Sequence, residues 1–406
     1  MFLLLIQMAV VLLVTLSFGR LASKLGQARV VGEIVGGIFL GPSVLGHLFP
    51  SFAARLFPQS SLGSFEILSN VGLILYLFLV GLELDTSRIE RQRSVAFTAS
   101  FTSILVPFIA AAALAHPLRV RFAPSGIGST PFVLFLGIAM SITAFPVLAR
   151  ILDERKLTTT PLGTLAILCA AFDDVAAWLL LAVTLTLIRT HAAATPLWVR
   201  FAGLAAYLII MFGVVRPLSL WISRRFRQKT FTYEMLALAL AFLLFSAAAT
   251  DWAGVHPLFG AFIAGVCFPR IEAWQIETRN RVEVLTSALL LPLFFAITGL
   301  KTRLDLLSNP NTWLWAFIIL LAAVGGKIGG AVLAARWSGQ DWRTASALGV
   351  LLNTRGLVEL VVLNIAYNVG AFSPTLFTML VLMALVTTMC TTPLLNLLKV
   401  AGPQEI

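Results

Sequence analysis

Cys169-Ala-Ala-Phe-Asp-Asp-Val-Ala-Ala-Trp178 lies in the middle of an apolar segment that runs from residue 161 to residue 189. A segment of that length crosses the roughly 30 Å hydrocarbon core of a bilayer as a helix. Asp173 and Asp174 therefore stand near the membrane centre, where an ionised carboxylate costs on the order of 3 kcal/mol by insertion scales. Packing alone does not call for two acids at that depth. Acids placed there mark a proton relay or a cation site, or they pair with a structural base.

Working outward, the composition gives the same class. Hydrophobic residues are 59% of the 406 and charged residues 12%, where soluble domains carry about 25% charged. The net charge of +11 would suit nucleic acid, but Lys and Arg sit in short loops between apolar runs and not on one amphipathic face, so no nucleic-acid partner is expected. Cys169, Cys267 and Cys390 fall inside apolar segments and read as packing residues, not as a disulfide framework or metal cluster. The four histidines lie near segment ends without ligand spacing, so no zinc, haem or other cofactor is expected. Met1-Phe-Leu-Leu-Leu5 has no basic n-region and no small-residue cleavage site, which predicts a retained first span.

Apolar runs predict an all-α polytopic protein with thirteen spans, at 2–18, 30–48, 64–84, 94–115, 130–151, 161–189, 197–222, 231–249, 256–269, 281–300, 312–336, 342–368 and 374–398. Basic residues test the count. With this assignment twenty of the 29 fall on one side and seven on the other, while Lys327 and Arg355 lie inside spans. The split places the N-terminus outside and the C-terminus in the cytoplasm.

The chain also resembles itself. Asn70-Val-Gly-Leu-Ile-Leu-Tyr-Leu-Phe-Leu-Val-Gly-Leu-Glu-Leu-Asp85 echoes the run from Leu289 to Asp305, which carries Gly299-Leu300 and the same closing acid. Gly32-Glu-Ile-Val-Gly-Gly-Ile-Phe-Leu-Gly-Pro42 loosely matches Gly260-Ala-Phe-Ile-Ala-Gly-Val-Cys-Phe-Pro269. These are spans two and three against nine and ten. An odd offset inverts the second copy, the arrangement in which transporters build midplane sites from broken helices. The predicted breaks are repeat-related: Ser141-Ile-Thr-Ala-Phe-Pro-Val147 in span five, where Pro146 removes a donor, and Asn353-Thr-Arg-Gly356 in span twelve. Unwound backbone at that depth survives only where protein or a cavity satisfies it.

Lys327, in Gly325-Gly-Lys-Ile-Gly-Gly330, is the mid-membrane base that could answer the acids, with glycines that permit close helix approach. Adjacent helical residues point about 100° apart, so the two acids cannot share one environment. The expectation is that Asp174 faces the cavity and takes a cation or proton while Asp173 points to Lys327; a static Asp173–Lys327 ion pair remains the alternative. Arg355 and Glu359, four apart, are expected to form a structural network at the break. Glu33 is expected to be structural or interfacial. Ser141 and Thr143 could lend oxygens to a hard cation.

These residues carry a resemblance. Gly-Glu-Ile-x-x-Gly-Ile-x-Leu-Gly-Pro (32–42), Gly-Leu-Glu-Leu-Asp (81–85), Ser-Ile-Thr-Ala-Phe-Pro-Val-Leu-Ala-Arg (141–150), Asp-Asp (173–174) and Asn-Thr-Arg-Gly-Leu-Val-Glu-Leu (353–360) together resemble the monovalent cation:proton antiporter-2 family of sodium/proton and potassium/proton exchangers, over spans two to thirteen. The resemblance implies the sodium/proton antiporter fold with two crossed broken helices. It implies a homodimer, with scaffold helices in 1–92 and 230–309, mobile core helices in 93–191 and 310–406, and a linker at 192–229. It implies that Asp174 carries cation and proton, and that Asp173 with Lys327 matches the pattern of electrogenic exchange. The 141–150 and 353–360 motifs are closer to plant-type exchangers, often potassium-linked, so Na⁺ against K⁺ stays open and an electroneutral potassium/proton exchanger is an alternative. The chain stops just after span thirteen, so no C-terminal nucleotide-binding domain is expected, and a bacterial inner membrane is the expected location.

The function expected is that of an elevator-type antiporter, not an enzyme. An intramembrane aspartyl protease needs its two acids on separate helices. An organic-anion symporter on a related fold could share the broken helices, and a channel could share the charges, but the Asp–Asp–Lys set favours an inorganic cation.

Overall fold

Inside a bilayer no water satisfies a backbone amide, so each spanning segment must close its hydrogen bonds within itself. The computed structural model describes residues 2–83, 93–158, 160–189, 197–226, 230–253 and 256–400, and all the regular structure among them is helical. Asp85, Arg88, Arg91, Arg227 and Lys229 lie outside them. In chain order the helices are α1 (Phe2–Lys24), α2 (Arg29–Leu40), the short α3 (Leu45–Leu48) and α4 (Pro50–Leu56), α5 (Gln59–Glu83), α6 (Arg93–Phe122), α7 (Ser129–Ser141), α8 (Phe145–Glu154) and α9 (Pro161–Arg189). There follow α10 (Leu197–Ile210), α11 (Arg216–Arg225), α12 (Tyr233–Trp252), α13 (Pro257–Val266), α14 (Glu272–Leu285), α15 (Leu291–Lys301), α16 (Pro310–Trp337), α17 (Trp342–Leu352), α18 (Leu357–Asn368) and α19 (Pro374–Leu397). One π turn joins α10 to α11 and another joins α14 to α15.

Among the described residues ten helical stretches are long and apolar enough to cross a membrane, and α17 with α18, bent by 42° at their junction, makes eleven. The thirteen spans expected are therefore not reached by length and hydropathy alone. Two of the expected spans are represented by shorter apolar helices, α7 and α13. The region around residues 270–280 also differs from expectation. It is helical from Glu272, because the pairs Arg281–Glu277 at 2.7 Å and Arg279–Glu283 at 2.8 Å follow the i,i+4 spacing that supports an exposed helix.

The chain divides into two packed units. The first comprises Met1–Pro58, Ser87–Leu181 and Phe295–Ile406, and the second Gln59–Thr86 and Ala182–Phe294. Within the first, the glycine face of α2 lies on the backbone of Ala296 and Gly299 in α15. Within the second, Gly81 of α5 lies on the backbone of Phe262 and Gly265 in α13. Span two thus packs on ten and span three on nine, the same contact exchanged between copies of the inverted repeat. In the first unit, an apolar cluster including Val147, Leu148, Leu165, Ala166, Ala331, Leu348 and Leu351 binds α8, α9, α16 and α17 together beside the acids. Large apolar side chains such as Leu13, Ile109, Phe317 and Leu321 are exposed, as expected where lipid is the solvent.

Candidate ion site at the crossed helix breaks

Both predicted breaks are present. Residues 142–144 separate α7 from α8, and 353–356 separate α17 from α18. A helix end leaves its last carbonyls without intrahelical partners and carries a partial negative charge. The α7 end meets this with two cations. Arg355 donates to the carbonyls of Ala139 at 2.7 Å and Met140 at 2.6 Å, and Lys327 donates to the carbonyl of Ser141. The arrangement is partly reciprocal: the Ala144 amide donates to the Thr354 carbonyl at 2.9 Å, and the Thr143 hydroxyl lies 2.7 Å from the carbonyl of Leu352, the last residue of α17. The two extended segments satisfy each other, which is what permits them at this depth.

The neighbouring acids differ completely. Both carboxylate oxygens of Asp173 are engaged: Lys327 Nζ lies 2.6 Å from Oδ2, the Ser100 hydroxyl donates to Oδ1 at 2.5 Å, and the Thr143 hydroxyl lies 2.6 Å from Oδ2. That hydroxyl has one proton to share between Asp173 and Leu352. Lys327 is equally engaged, since Asp173, the Ser141 carbonyl and the Ser103 hydroxyl at 3.5 Å are three acceptors for its three donors. Asp174 is 2% exposed, and neither of its oxygens has a hydrogen-bond partner among the described residues.

Asp173, Lys327 and Thr143 are thus brought into one cluster. Ser141 enters it through its carbonyl, because its hydroxyl donates to the Ile104 carbonyl at 3.1 Å. Arg355 and Glu359 are both fully buried but only 3.4 Å apart, and Arg355 makes its shorter bonds with α7. Glu33 pairs with Arg29 at 2.8 Å, away from the breaks in sequence. The sequence reading missed Ser100 and Ser103 on α6. Their i,i+3 spacing on span four, the repeat counterpart of the lysine-bearing span eleven, was the available signal. It also missed Thr388 on α19, which accepts from the Arg355 amide at 3.2 Å and lies 2.6 Å from its carbonyl. Gly326 and Gly330 admit Lys327 to this depth. A Cβ on either would stand 2.8 Å from the Pro107 backbone or 2.6 Å from the Thr102 carbonyl of α6.

Among the described residues no three His, Cys, Asp or Glu side chains converge as they would for a resident metal. One bare buried acid, beside a charge-saturated acid and base, suits a singly charged, exchangeable ligand. The family model for the transmembrane region of sodium/hydrogen exchangers matches residues 9–397. The chain belongs to the sodium/hydrogen exchanger family. Within that family it is 40% identical over 380 residues to the Na(+)/H(+) antiporter NhaS4 of Synechocystis, covering 93% of this chain and 92% of that one. It is 41% identical over 394 residues to Cation/H(+) antiporter 17 of Arabidopsis thaliana, covering 97% of this chain and 48% of that one. It is 34% identical over 385 residues to K(+)/H(+) antiporter 1 of Saccharomyces cerevisiae, covering 92% and 44%. The chain therefore spans most of the cyanobacterial relative but about half the length of these two eukaryotic ones. Its fold matches that of the sodium proton antiporter MjNhaP1 from Methanocaldococcus jannaschii, with a TM-score of 0.68 at 15% identity over 97% of this chain and 95% of that chain.

Proposed function

We propose that the chain exchanges a monovalent cation, Na⁺ or K⁺, for protons, and that Asp174 is the carrier of both. The observation that carries this reading is the contrast between Asp173, with partners on both oxygens, and Asp174, buried with a hydrogen-bond partner on neither. A bare buried carboxylate is among the costliest groups a protein can hold. Asp174 must therefore carry a proton or a cation whenever it is away from water. Two ligands that compete for one acid, with the empty form forbidden from crossing, constitute obligatory exchange. The relatives named as Na(+)/H(+), cation/H(+) and K(+)/H(+) antiporters support the class and leave the cation as a choice between two.

Exchange is electrogenic in this proposal, through Lys327. A cation at Asp174 draws Asp173 towards it, and Lys327 gives up its proton as its acid is taken. A neutral amine keeps two N–H donors, and the Ser141 carbonyl and Ser103 hydroxyl are the two acceptors left for them. The lysine can discharge without leaving its place. Two protons then move against one cation, and each net charge moved is worth about 2.3 kcal/mol per 100 mV. The proposal takes the protein as a homodimer in a bacterial inner membrane, N-terminus outside, in which the crossed breaks move with a core as an elevator against scaffold helices.

Proton flux in proteoliposomes, followed with a pH dye while Na⁺, K⁺ or Li⁺ is added with voltage clamped or free, tests the reading. Flux evoked by one cation and altered by voltage is expected. Cation-evoked flux indifferent to voltage would reduce Lys327 to a structural partner, and no response from folded protein would remove the antiporter reading.

A further inference from the structure

The second packed unit contains a cavity of about 390 Å³ that the ion site does not use. It lies between the last turns of α11 (Leu218, Ile222), the first turns of α12 (Met235, Ala239), the exit of α13 (Phe268) and Trp274 at the start of α14. Its size is that of a small-molecule site, yet Ser219 is the one side chain with a hydroxyl among those lining it. A pocket walled by carbon has nothing with which to orient a polar ligand. It suits a hydrocarbon chain.

Its surroundings are different. α11 ends in Arg224 and Arg225, both exposed and without a salt bridge or side-chain hydrogen bond among the described residues. They begin the basic run Arg224-Arg225-Phe226-Arg227-Gln228-Lys229. Trp221 on the same turns is 57% exposed and meets Phe226 edge to face. Phe231, which lines the cavity, packs against Trp274 at 5.8 Å and lies under the Arg281 guanidinium. Aromatic rings and exposed cations at a helix end are the features of the membrane–water boundary, and basic clusters there hold anionic headgroups. We infer that this cavity is a binding site for one anionic phospholipid, an acyl chain between α11 and α12 and the headgroup phosphate on Arg224 and Arg225. The site stands independently of the transport reading, since it shares no residue with the crossed breaks.

Native mass spectrometry of the purified full chain in detergent tests it, with phosphatidylglycerol and phosphatidylcholine of identical acyl chains as probes. One phosphatidylglycerol per chain should survive activation that strips phosphatidylcholine. The exposed double variant Arg224→Gln/Arg225→Gln should weaken apparent phosphatidylglycerol affinity by about fivefold per charge, roughly thirtyfold in all. Ala239→Trp, which fills the cavity, should lower occupancy by either lipid. Equal retention of the two lipids, or phosphatidylglycerol binding unchanged in the arginine variant, would overturn the inference. So would an Ala239→Trp chain that keeps its lipid but loses its oligomeric state, because that would assign the groove to a second copy. If Ala239→Trp fails to elute as a monodisperse protein, the surface arginine variant decides alone.

Discussion

The guanidinium of Arg355 donates to the carbonyl of Met140 at 2.6 Å, and so the break in one helix closes the end of the other. The same guanidinium also holds the Ala139 carbonyl. Arg355→Met would leave two buried carbonyls bare. Each unsatisfied buried acceptor costs about 1–3 kcal/mol, so a loss of about 3 kcal/mol is expected, read as a lower midpoint in denaturant titration of the detergent-solubilised protein. A variant as stable as the parent would show that the cap is not structural.

The two neighbouring acids should respond in opposite ways to the same isosteric change. Asp173→Asn breaks a buried ion pair and strands Lys327, at a cost of about 3–5 kcal/mol. Asp174→Asn changes an acid whose oxygens have no hydrogen-bond partner and should leave stability unchanged or raised. It should also abolish cation-driven proton flux, by at least a hundredfold. Equal destabilisation by both substitutions would contradict the division of roles.

Lys327→Met alone leaves Asp173 buried without its base. Adding Asp173→Asn should recover much of the loss, giving a coupling energy of about 2 kcal/mol or more in a double-mutant cycle. If the transport proposal holds, any flux the double variant retains is insensitive to voltage. Additive losses would mean the two side chains do not depend on each other.

The glycines around Lys327 divide by face. Gly326→Ala and Gly330→Ala each put a methyl within 3 Å of the α6 backbone, and should lower both yield and midpoint. Gly325 and Gly329 have nothing within 4 Å of a built Cβ. Ala there should be tolerated, or stabilise by a few tenths to about 1 kcal/mol through helix propensity. Uniform tolerance at all four positions would refute the close α6–α16 approach.

Much of the architecture was legible because its causes are one-dimensional. Hydropathy alone separates a chain like this from soluble ones, and Pro146 and Gly356 stand at the two interruptions, although Pro107 and Pro393 lie inside unbroken helices. The expected loop before residue 281 failed for a local reason, since the ion pairs of α14 sustain a helix where hydropathy is low. The count of thirteen was not reached because α7 and α13 are too short to be recognised as spans by length.

The medium and the repeat that makes spans five and twelve partners are written in the amino-acid sequence. These follow from composition and spacing, which each segment carries alone. What the buried charges hold depends instead on how the helices pack. Every residue has a carbonyl, so no letter in the sequence identifies Ala139, Met140 and Ser141 as the acceptors for Arg355 and Lys327. Asp173 and Asp174 are the same residue type at the same depth. The 100° between them becomes a difference in chemistry only when α6 and α16 bring Ser100 and Lys327 against one and leave the other without a donor.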